Sequence, residues 1–396
     1  MSPLEAGRML DDILLDDPAA LQRADRHHAL LALAGAGARV RTAARLADEA
    51  GLGDLRPEGR PRTVLVAGHG SALTAAAALD ALAVTGCQVV PLPPSEVGRA
   101  DRGAFASGFG WQLPGWLGPL DLLVISSATG GERGLVQLAQ QAYTRGCAIV
   151  VTAPRESPLA QAALQVRALS LPYAPSPVEP GEGPDDEPDL PAEDPGALWA
   201  HLAPLAALAD RIGVVQLPQG ALAAVADRLD EVAVRCRPDA AAYLNPAKGL
   251  AAQLSGTVPL IWADGEVPGA VAERFAAMLA DRAGLPALPG RLPQALTAHR
   301  GMFVGHLGGG GDPDDFFRDR VDEPEQLQLQ VVLLRHAPGR PEDSDPGRAV
   351  GRARRLAAGH EVRLTEFSST LEDPLQAFAE LAGPADFAAV YLGLAR

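Results

Sequence analysis

The chain of 396 residues contains few cysteines, and their arrangement excludes two kinds of structure. Cys87, Cys147 and Cys236 form no CxxC pair and have no ligand-like spacing with histidine. A disulfide framework and a metal site built on cysteine are therefore not expected.

The sequence also lacks the segments that direct a chain into or across a membrane. It has no apolar run of the roughly 18 residues that a membrane-spanning helix requires. Residues 1–17 (MSPLEAGRMLDDILLDD) are acidic and have no long apolar core, unlike a signal peptide. These absences predict a cytoplasmic protein that does not bind a membrane.

Positive charge is scarce relative to negative charge, and the formal net charge is -15 at pH 7. Polyanions are repelled by such a chain, which argues against nucleic acid or an anionic membrane as a partner. A small phosphorylated ligand is not excluded, because its binding depends on local hydrogen-bond donors.

What remains is the composition of a globular protein, with 47% hydrophobic and 21% charged residues. The length suggests two domains. Short strand-like runs alternate with helical stretches, which predicts an α/β fold of parallel sheets with helices on both faces. The predicted strands are 63–67, 88–92, 121–126, 148–152 and 167–171, and then 257–263, 328–334 and 361–367.

An acidic, proline-rich segment separates the two halves of the chain. In residues 173–196 prolines alternate with aspartate and glutamate, so the segment cannot bury apolar surface. We interpret it as a linker, with a functional lid as the alternative. The predicted domains are therefore residues 1–172 and residues 197–396.

Two predicted strands end in glycines and hydroxyl residues, at Gly68–Ser71 and at Ser126–Gly131. Glycines allow close approach of a ligand to the backbone, and the first N–H groups of the following helix have no partner within that helix. Such donors, together with serine and threonine hydroxyls, favour a phosphate. Both turns are expected at the carboxyl ends of strands, where open α/β sheets bind their ligands.

Four segments, spread over nearly the whole chain, resemble motifs of one family. Gly68–Ala72 is similar to a GMGGSA turn, and Val124–Glu132 (VISSATGGE) is similar to an ISYSGNTEE loop. Asn245–Lys248 matches an NPAK segment, and Asp386–Leu392 resembles a GDYVSVYLA helix. Together they resemble the bifunctional phosphoglucose/phosphomannose isomerase family. The resemblance implies two sugar isomerase (SIS) subdomains, each a flavodoxin-like parallel-sheet α/β unit.

The same resemblance implies an activity. Members of the family interconvert glucose or mannose 6-phosphate with fructose 6-phosphate by proton transfer through an enediol, without a metal. For this chain it implies a phosphorylated sugar as ligand, no cofactor and a homodimer.

The residues that match the family's site can be named one by one. The phosphate-binding residues implied by the match are Gly70, Ser71, Ser126, Ser127, Thr129 and Gly130. Asp281 aligns with the family's proton-transfer glutamate. The alternative interpretation is a surface residue on a helix, beside Arg282. His299 corresponds to the family's ring-opening histidine, with His306 as the alternative.

Several departures from the family pattern leave two functions open. Ala128 and Gly131 replace a phosphate serine and a threonine. The family has an arginine shortly after its linker, and residues 194–199 of this chain contain none. Lys248, the only lysine, is not at the position of the family's tail lysine. The chain is therefore expected to be either a divergent sugar-phosphate isomerase or a catalytically inactive sugar-phosphate-binding or regulatory protein. A purely structural subunit is a third hypothesis. Residues 308–315 (GGGGDPDD) are interpreted as a loop and not as a metal site.

Overall fold

The computed structural model describes residues 12–57, 59–84, 86–97, 109–176, 193–304, 328–339 and 348–396. Its contacts divide the chain into an N-terminal unit, residues 26–230, and a C-terminal unit, residues 1–25 together with 231–396. The C-terminal unit contains one parallel sheet, and the N-terminal unit contains one parallel sheet and a short antiparallel pair.

The described helices, in chain order, are α1 (Asp12–Leu15), α2 (Pro18–Ala24), α3 (Ala29–Ala34), α4 (Ala36–Glu49), α5 (Ser71–Leu82), α6 (Arg133–Thr144), α7 (Pro158–Gln165), α8 (Ala197–Arg211), α9 (Ala221–Arg235), α10 (Pro246–Leu254), α11 (Glu266–Ala283), α12 (Gln294–Ala298), α13 (Arg300–Phe303), α14 (Ala349–Gly359) and α15 (Pro374–Leu394). The described strands are β1 (Thr63–Ala67), β2 (Gln88–Leu92), β3 (Glu96–Val97), β4 (Phe109–Gly110), β5 (Leu122–Ser126), β6 (Ala148–Ala153), β7 (Leu169–Pro172), β8 (Thr257–Asp264), β9 (Leu288–Arg291), β10 (Gln328–His336) and β11 (Arg363–Ser369).

The sheet of the N-terminal unit has five parallel strands in the order β2–β1–β5–β6–β7. β1 and β5 are buried along their whole length, as expected for central strands covered on both faces. The two strands are in register, with Ala67 opposite Ile125. The strand order reverses between β1 and β5, so the topological switch point lies where these two strands end.

Helices pack on this sheet through small and aliphatic side chains. Leu135 and Leu138 of α6 and Leu159 of α7 belong to one buried cluster with the side chains of β1, β5 and β6. α5 packs on β1 and β2, and α8 packs on α4 and α5. The alanine-rich sequence of α5 permits this close packing.

The sheet of the C-terminal unit is also parallel, with the order β11–β10–β8–β9. Its order reverses between β8 and β10. Trp262 of β8 is completely buried in the core of this unit. α11 and α15 pack against one another, and each also contacts the sheet.

The predicted architecture of two parallel-sheet α/β units is confirmed, and β1 and β2 have the predicted bounds. β9 was not predicted, because its Leu-Pro-Gly-Arg sequence is mostly exposed and lacks a β-branched run. α15 is one continuous helix of 21 residues. Gly383 in its middle allows close packing, since a Cβ there would lie 2.7 Å from Val232 Cγ1.

The division of the chain differs from the one expected from composition. The contacts separate the units within α9, at residue 230, and not at residues 173–196. The reason is that α8 packs against α4 and α5. A change in composition does not reveal against which elements the next helix packs.

Three expectations fall on parts of the chain without a described structure. His306, residues 308–315 and most of the acidic segment, residues 177–192, lie outside the described residues. Among the helices that are described, none has both the length and the apolar character needed to cross a membrane.

Candidate functional site

The turn after β1 contains two glycines that the structure requires. A Cβ on Gly68 would lie 2.6 Å from the carbonyl oxygen of Ser126, so glycine allows the turns after β1 and β5 to touch. Gly70 has φ 54 and ψ −128, which an L side chain rarely adopts. A Cβ there would also lie 2.6 Å from the Glu193 carboxylate. The two predicted turns therefore meet at the switch point of the sheet.

The start of α5 holds an internal carboxylate. Ser71 is the first residue of this helix, and its N–H donates to Glu193, with 2.9 Å to each carboxylate oxygen. The Ser71 hydroxyl donates to Glu193 Oε2 at 3.0 Å. A helix N-terminus with a serine hydroxyl favours an anion through its free donors and its dipole. The predicted phosphate donor thus binds an anion, and that anion belongs to the chain itself.

The turn after β5 is closed by hydrogen bonds within the turn. The Ser127 hydroxyl lies 2.9 and 2.7 Å from the Glu132 oxygens, and the Thr129 hydroxyl donates to Glu132 Oε1 at 3.0 Å. The Gly130 N–H donates to Ser127 Oγ at 2.7 Å. Gly130 has φ +66, and a Cβ there would lie 2.3 Å from Ser157 Oγ. The hydroxyls predicted to hold phosphate therefore bind Glu132.

Glu132 is completely buried and contacts a histidine of the other turn. Its Oε1 lies 3.1 Å from Nε2 of His69. Burial opposes ionisation of Glu132, but hydrogen bonds from His69 and Ser127 outweigh it and hold the pKa of Glu132 below its ordinary value. Burial likewise disfavours the imidazolium, but Glu132 and the charge of Glu193 raise the pKa of His69 above its ordinary value. The pair is therefore ionised over a wider pH range than separate groups would be.

His69 is the member of this pair that reaches the surface. Its side chain is 31% exposed, whereas that of Glu132 is fully covered. Its ring lies beside Phe109, with 5.5 Å between the ring centroids. Neither His69 nor Glu132 was predicted as a site residue.

Ser126 has a different environment from its neighbours. Its hydroxyl lies 2.7 Å from Nδ1 of His201 on α8, and both residues are buried. Burial, with a smaller contribution from Arg39, lowers the pKa of His201 to about 3. His201 is therefore neutral near pH 7, and its Nδ1 shares a hydrogen bond with the Ser126 hydroxyl. This hydrogen bond connects β5 to α8, and Ser126 is therefore part of the core.

A cation that the sequence did not predict lies at the far end of the acidic segment. The buried Arg39 of α4 forms an ion pair with Asp194. It also donates to the Tyr173 hydroxyl and to the Ala174 carbonyl, each at 3.1 Å. Arg39 and Asp194 are 155 residues apart, so no local pattern links them. Because Asp194 neutralises it, Arg39 supplies little net positive charge to the site.

The two predicted catalytic residues belong to the C-terminal unit, and this unit does not bring them together. Asp281 is half exposed, and its Oδ2 lies 2.9 Å from Nε of Arg282. It is 15 residues beyond the first residue of α11, or about 22 Å along the helix from the carboxyl end of β8. His299 lies instead against Trp262, near that carboxyl end, and its Nδ1 accepts the indole N–H at 2.9 Å. Burial lowers the pKa of His299, so its neutral form is favoured.

The NPAK segment has a structural explanation. Asn245 caps α10, because its Oδ1 accepts the N–H groups of Ala247 and Lys248 at 3.0 and 3.2 Å. Nζ of the buried Lys248 donates to the carbonyls of Pro238 and Ala240 at 2.7 and 2.8 Å. The segment therefore fixes the turn before α10.

The switch point of the second sheet contains an ion-pair network. Arg335 lies 2.6 Å from Glu366 and 3.7 Å from Asp264. These charges neutralise one another, and the arrangement differs from the glycine and hydroxyl turns of the first sheet. Across the described ranges, no cluster of three or more His, Cys, Asp or Glu residues is arranged to hold a metal ion.

The comparisons with known proteins agree with this architecture. Residues 244–396 match the model of the bacterial phospho-glucose isomerase C-terminal SIS domain. The fold resembles that of a hypothetical protein from Thermus thermophilus, with TM-score 0.60 and 15% identity, covering 96% of this chain and 89% of that one. It also resembles the C-terminal domain of glucosamine-fructose-6-phosphate aminotransferase from Francisella tularensis, with TM-score 0.53 and 12% identity, covering 93% and 96%. No curated protein matches the sequence.

Proposed function

We propose that this divergent SIS-fold protein, whose residues 244–396 match the bacterial phospho-glucose isomerase C-terminal SIS family, binds a phosphorylated sugar at the switch point of its N-terminal sheet. The observation that carries this proposal is the carboxylate held by the Ser71 N–H and hydroxyl at the start of α5. A phosphate oxygen requires the same donors as a carboxylate oxygen, so the position is suited to either anion.

The proposal makes ligand binding an exchange of anions. The ligand phosphate takes the place of the Glu193 carboxylate on Ser71, and Glu193 moves into solvent. The donors of the second turn stay with Glu132, so the phosphate depends mainly on the first turn. Affinity for a sugar phosphate is therefore expected to be lower than in a site with two complete sets of free donors.

Titration calorimetry with glucose 6-phosphate tests the proposal. We expect saturable binding to the wild-type chain and weaker or lost binding to Ser71→Ala, because the alanine removes one donor from the anion. Ser368→Ala, at an exposed serine of the C-terminal unit, is the control. Equal affinities of the wild type and Ser71→Ala would contradict the proposed site, and glucose without phosphate should not compete.

A divergent aldose–ketose isomerase is the second candidate, acting on glucose or mannose 6-phosphate and producing fructose 6-phosphate. The half-buried His69 beside the ionised Glu132 favours it, because proton transfer needs a titratable group at the bound sugar. In the version derived from the family resemblance, Asp281 moves the proton and His299 opens the sugar ring. Loss of activity in Asp281→Asn and His299→Gln is the expected result if those two residues carry the chemistry.

The homodimer implied by the family resemblance remains a proposal. Light scattering on the eluting protein would give twice the chain mass of 41.0 kDa for a dimer. A mass equal to one chain at all concentrations would contradict it.

A further inference from the structure

The histidine in the turn after β1 has one ring nitrogen bound and one available. Nε2 of His69 lies 3.1 Å from Glu132. In the part of the chain that the structure describes, no group forms a hydrogen bond with Nδ1, and 31% of the side chain is exposed. Resting on the proposed function, we propose that His69 is the residue that transfers a proton on a sugar phosphate bound at Ser71, with Glu132 as its positioning residue.

Glu132 fixes the tautomer that this role needs. Its carboxylate is buried and accepts hydrogen bonds from Ser127 and Thr129. An ionised carboxylate on Nε2 keeps the proton of neutral imidazole on that nitrogen. The lone pair is then on Nδ1, where it can accept a proton from a ligand. The hydroxyls of the second turn thus act on the substrate indirectly, by holding the carboxylate that orients His69.

The surroundings of His69 strengthen Nδ1 as a base. Glu132 contacts the ring, and the charge of Glu193 also acts on it from the end of the acidic segment. His201 on α8 is neutral, and the positive charge of His69 contributes to lowering its pKa. Phe109 covers one side of the ring and carries no charge. In the free site both charged neighbours are anionic. When the ligand is bound, Glu132 stays in place and the ligand phosphate replaces Glu193, so two anions still favour the imidazolium that forms when the proton is taken.

The step has a complete balance of atoms and electrons. The C2–H bond of the open-chain aldose breaks, and its proton moves to Nδ1. The electron pair forms the C1–C2 double bond, and the carbonyl oxygen O1 takes the negative charge as an enediolate. The imidazolium returns a proton to C1 while the proton of the C2 hydroxyl moves to O1, which gives the 2-ketose. The step requires no oxidant, reductant or other reactant.

Two measurements test the proposal on the full chain. The first is the exchange of deuterium from D₂O into C2 of glucose 6-phosphate, followed by proton NMR. We expect exchange in the wild type and a roughly 100-fold or greater loss of its rate in His69→Gln at saturating ligand, as is usual for removal of a general base. His28→Asn is the control, because His28 is exposed in the same unit and has φ 53, which asparagine tolerates.

The second measurement is the NMR titration of the His69 ring. Its pKa should lie above 6.5 in the wild type and fall in Glu132→Gln. The pH profile of exchange should shift with it in that variant, since a merely structural role for Glu132 would change the rate without moving the profile. An unshifted profile in Glu132→Gln would overturn the positioning role.

Each failure has its own meaning. Exchange in His69→Gln at the wild-type rate would overturn the catalytic role, as would a rise in KM with kcat unchanged, which would make His69 a phosphate contact. Saturable binding without exchange in the wild type would also overturn it and would leave the proposed binding function standing. Absence of any binding of glucose 6-phosphate would contradict the proposed function itself.

Discussion

Removal of the negative charge of Glu193 should increase the affinity of the N-terminal unit for anions. In Glu193→Gln the side chain keeps its size but loses the charge that holds it on the Ser71 N–H and hydroxyl. Hydrogen bonds to a charged group contribute about 1.5–3 kcal/mol net. Since the ligand no longer displaces that anion, its Kd should fall by roughly ten- to a hundredfold.

Titration calorimetry with glucose 6-phosphate at fixed pH and ionic strength measures this change. Glu156→Gln is the matched control, because Glu156 is an exposed glutamate of the same unit and its loss changes the net charge equally. If Glu156→Gln lowered the Kd as much as Glu193→Gln, the increase in affinity would be due to the change in net charge. A Kd for Glu193→Gln within twofold of the wild type, or a weaker one, would refute the exchange of carboxylate for phosphate.

Three further predictions concern the stability of the two turns and their contacts, each measured as the free energy of unfolding in urea. Gly70→Ala should lower it by about 1–3 kcal/mol, because the backbone has φ 54 and the new Cβ would meet Glu193; a fully stable variant would contradict the strain argument. His201→Phe should cost about 1–3 kcal/mol, because it leaves the buried Ser126 hydroxyl without its hydrogen-bond partner; an unchanged value would contradict the structural role of this hydrogen bond. The His69–Glu132 pair should stabilise the fold most between the ordinary pKa values of 4.5 and 6.5. Its contribution is lost as the pH rises through the raised pKa of His69 or falls through the lowered pKa of Glu132, so the difference between the wild type and Glu132→Gln should shrink on both sides.

The fold followed from the sequence because its signals are local. Leu122–Ser126 is a buried strand by composition alone, and the alternation of such strands with helices determines a parallel sheet. Glycines at 68 and 70 marked a turn that no other residue can form. The same rule predicts a ligand site at the ends of these strands.

The hydrogen-bond partners of the polar side chains could not be predicted from the sequence, because each pair joins residues that are far apart in the chain. Ser71 meets Glu193 across 122 residues, and Ser126 meets His201 across 75. The sequence did contain a signal for His69. It lies between two glycines at the end of a buried strand, where packing does not require a histidine. Glu132 is visible only as an acidic residue next to a hydroxyl-rich turn, a pattern that also describes an ordinary helix start.

Titration of glucose 6-phosphate into isotopically labelled protein, followed through the backbone amide signals, tests the central claim most directly. If the phosphate replaces Glu193 at the start of α5, the largest saturable shifts will occur at Gly70 and Ser71, with smaller ones at Thr129 and Gly130. Saturable shifts confined to other parts of the chain, with the Ser71 amide unmoved, would contradict the claim that this turn is the phosphate site.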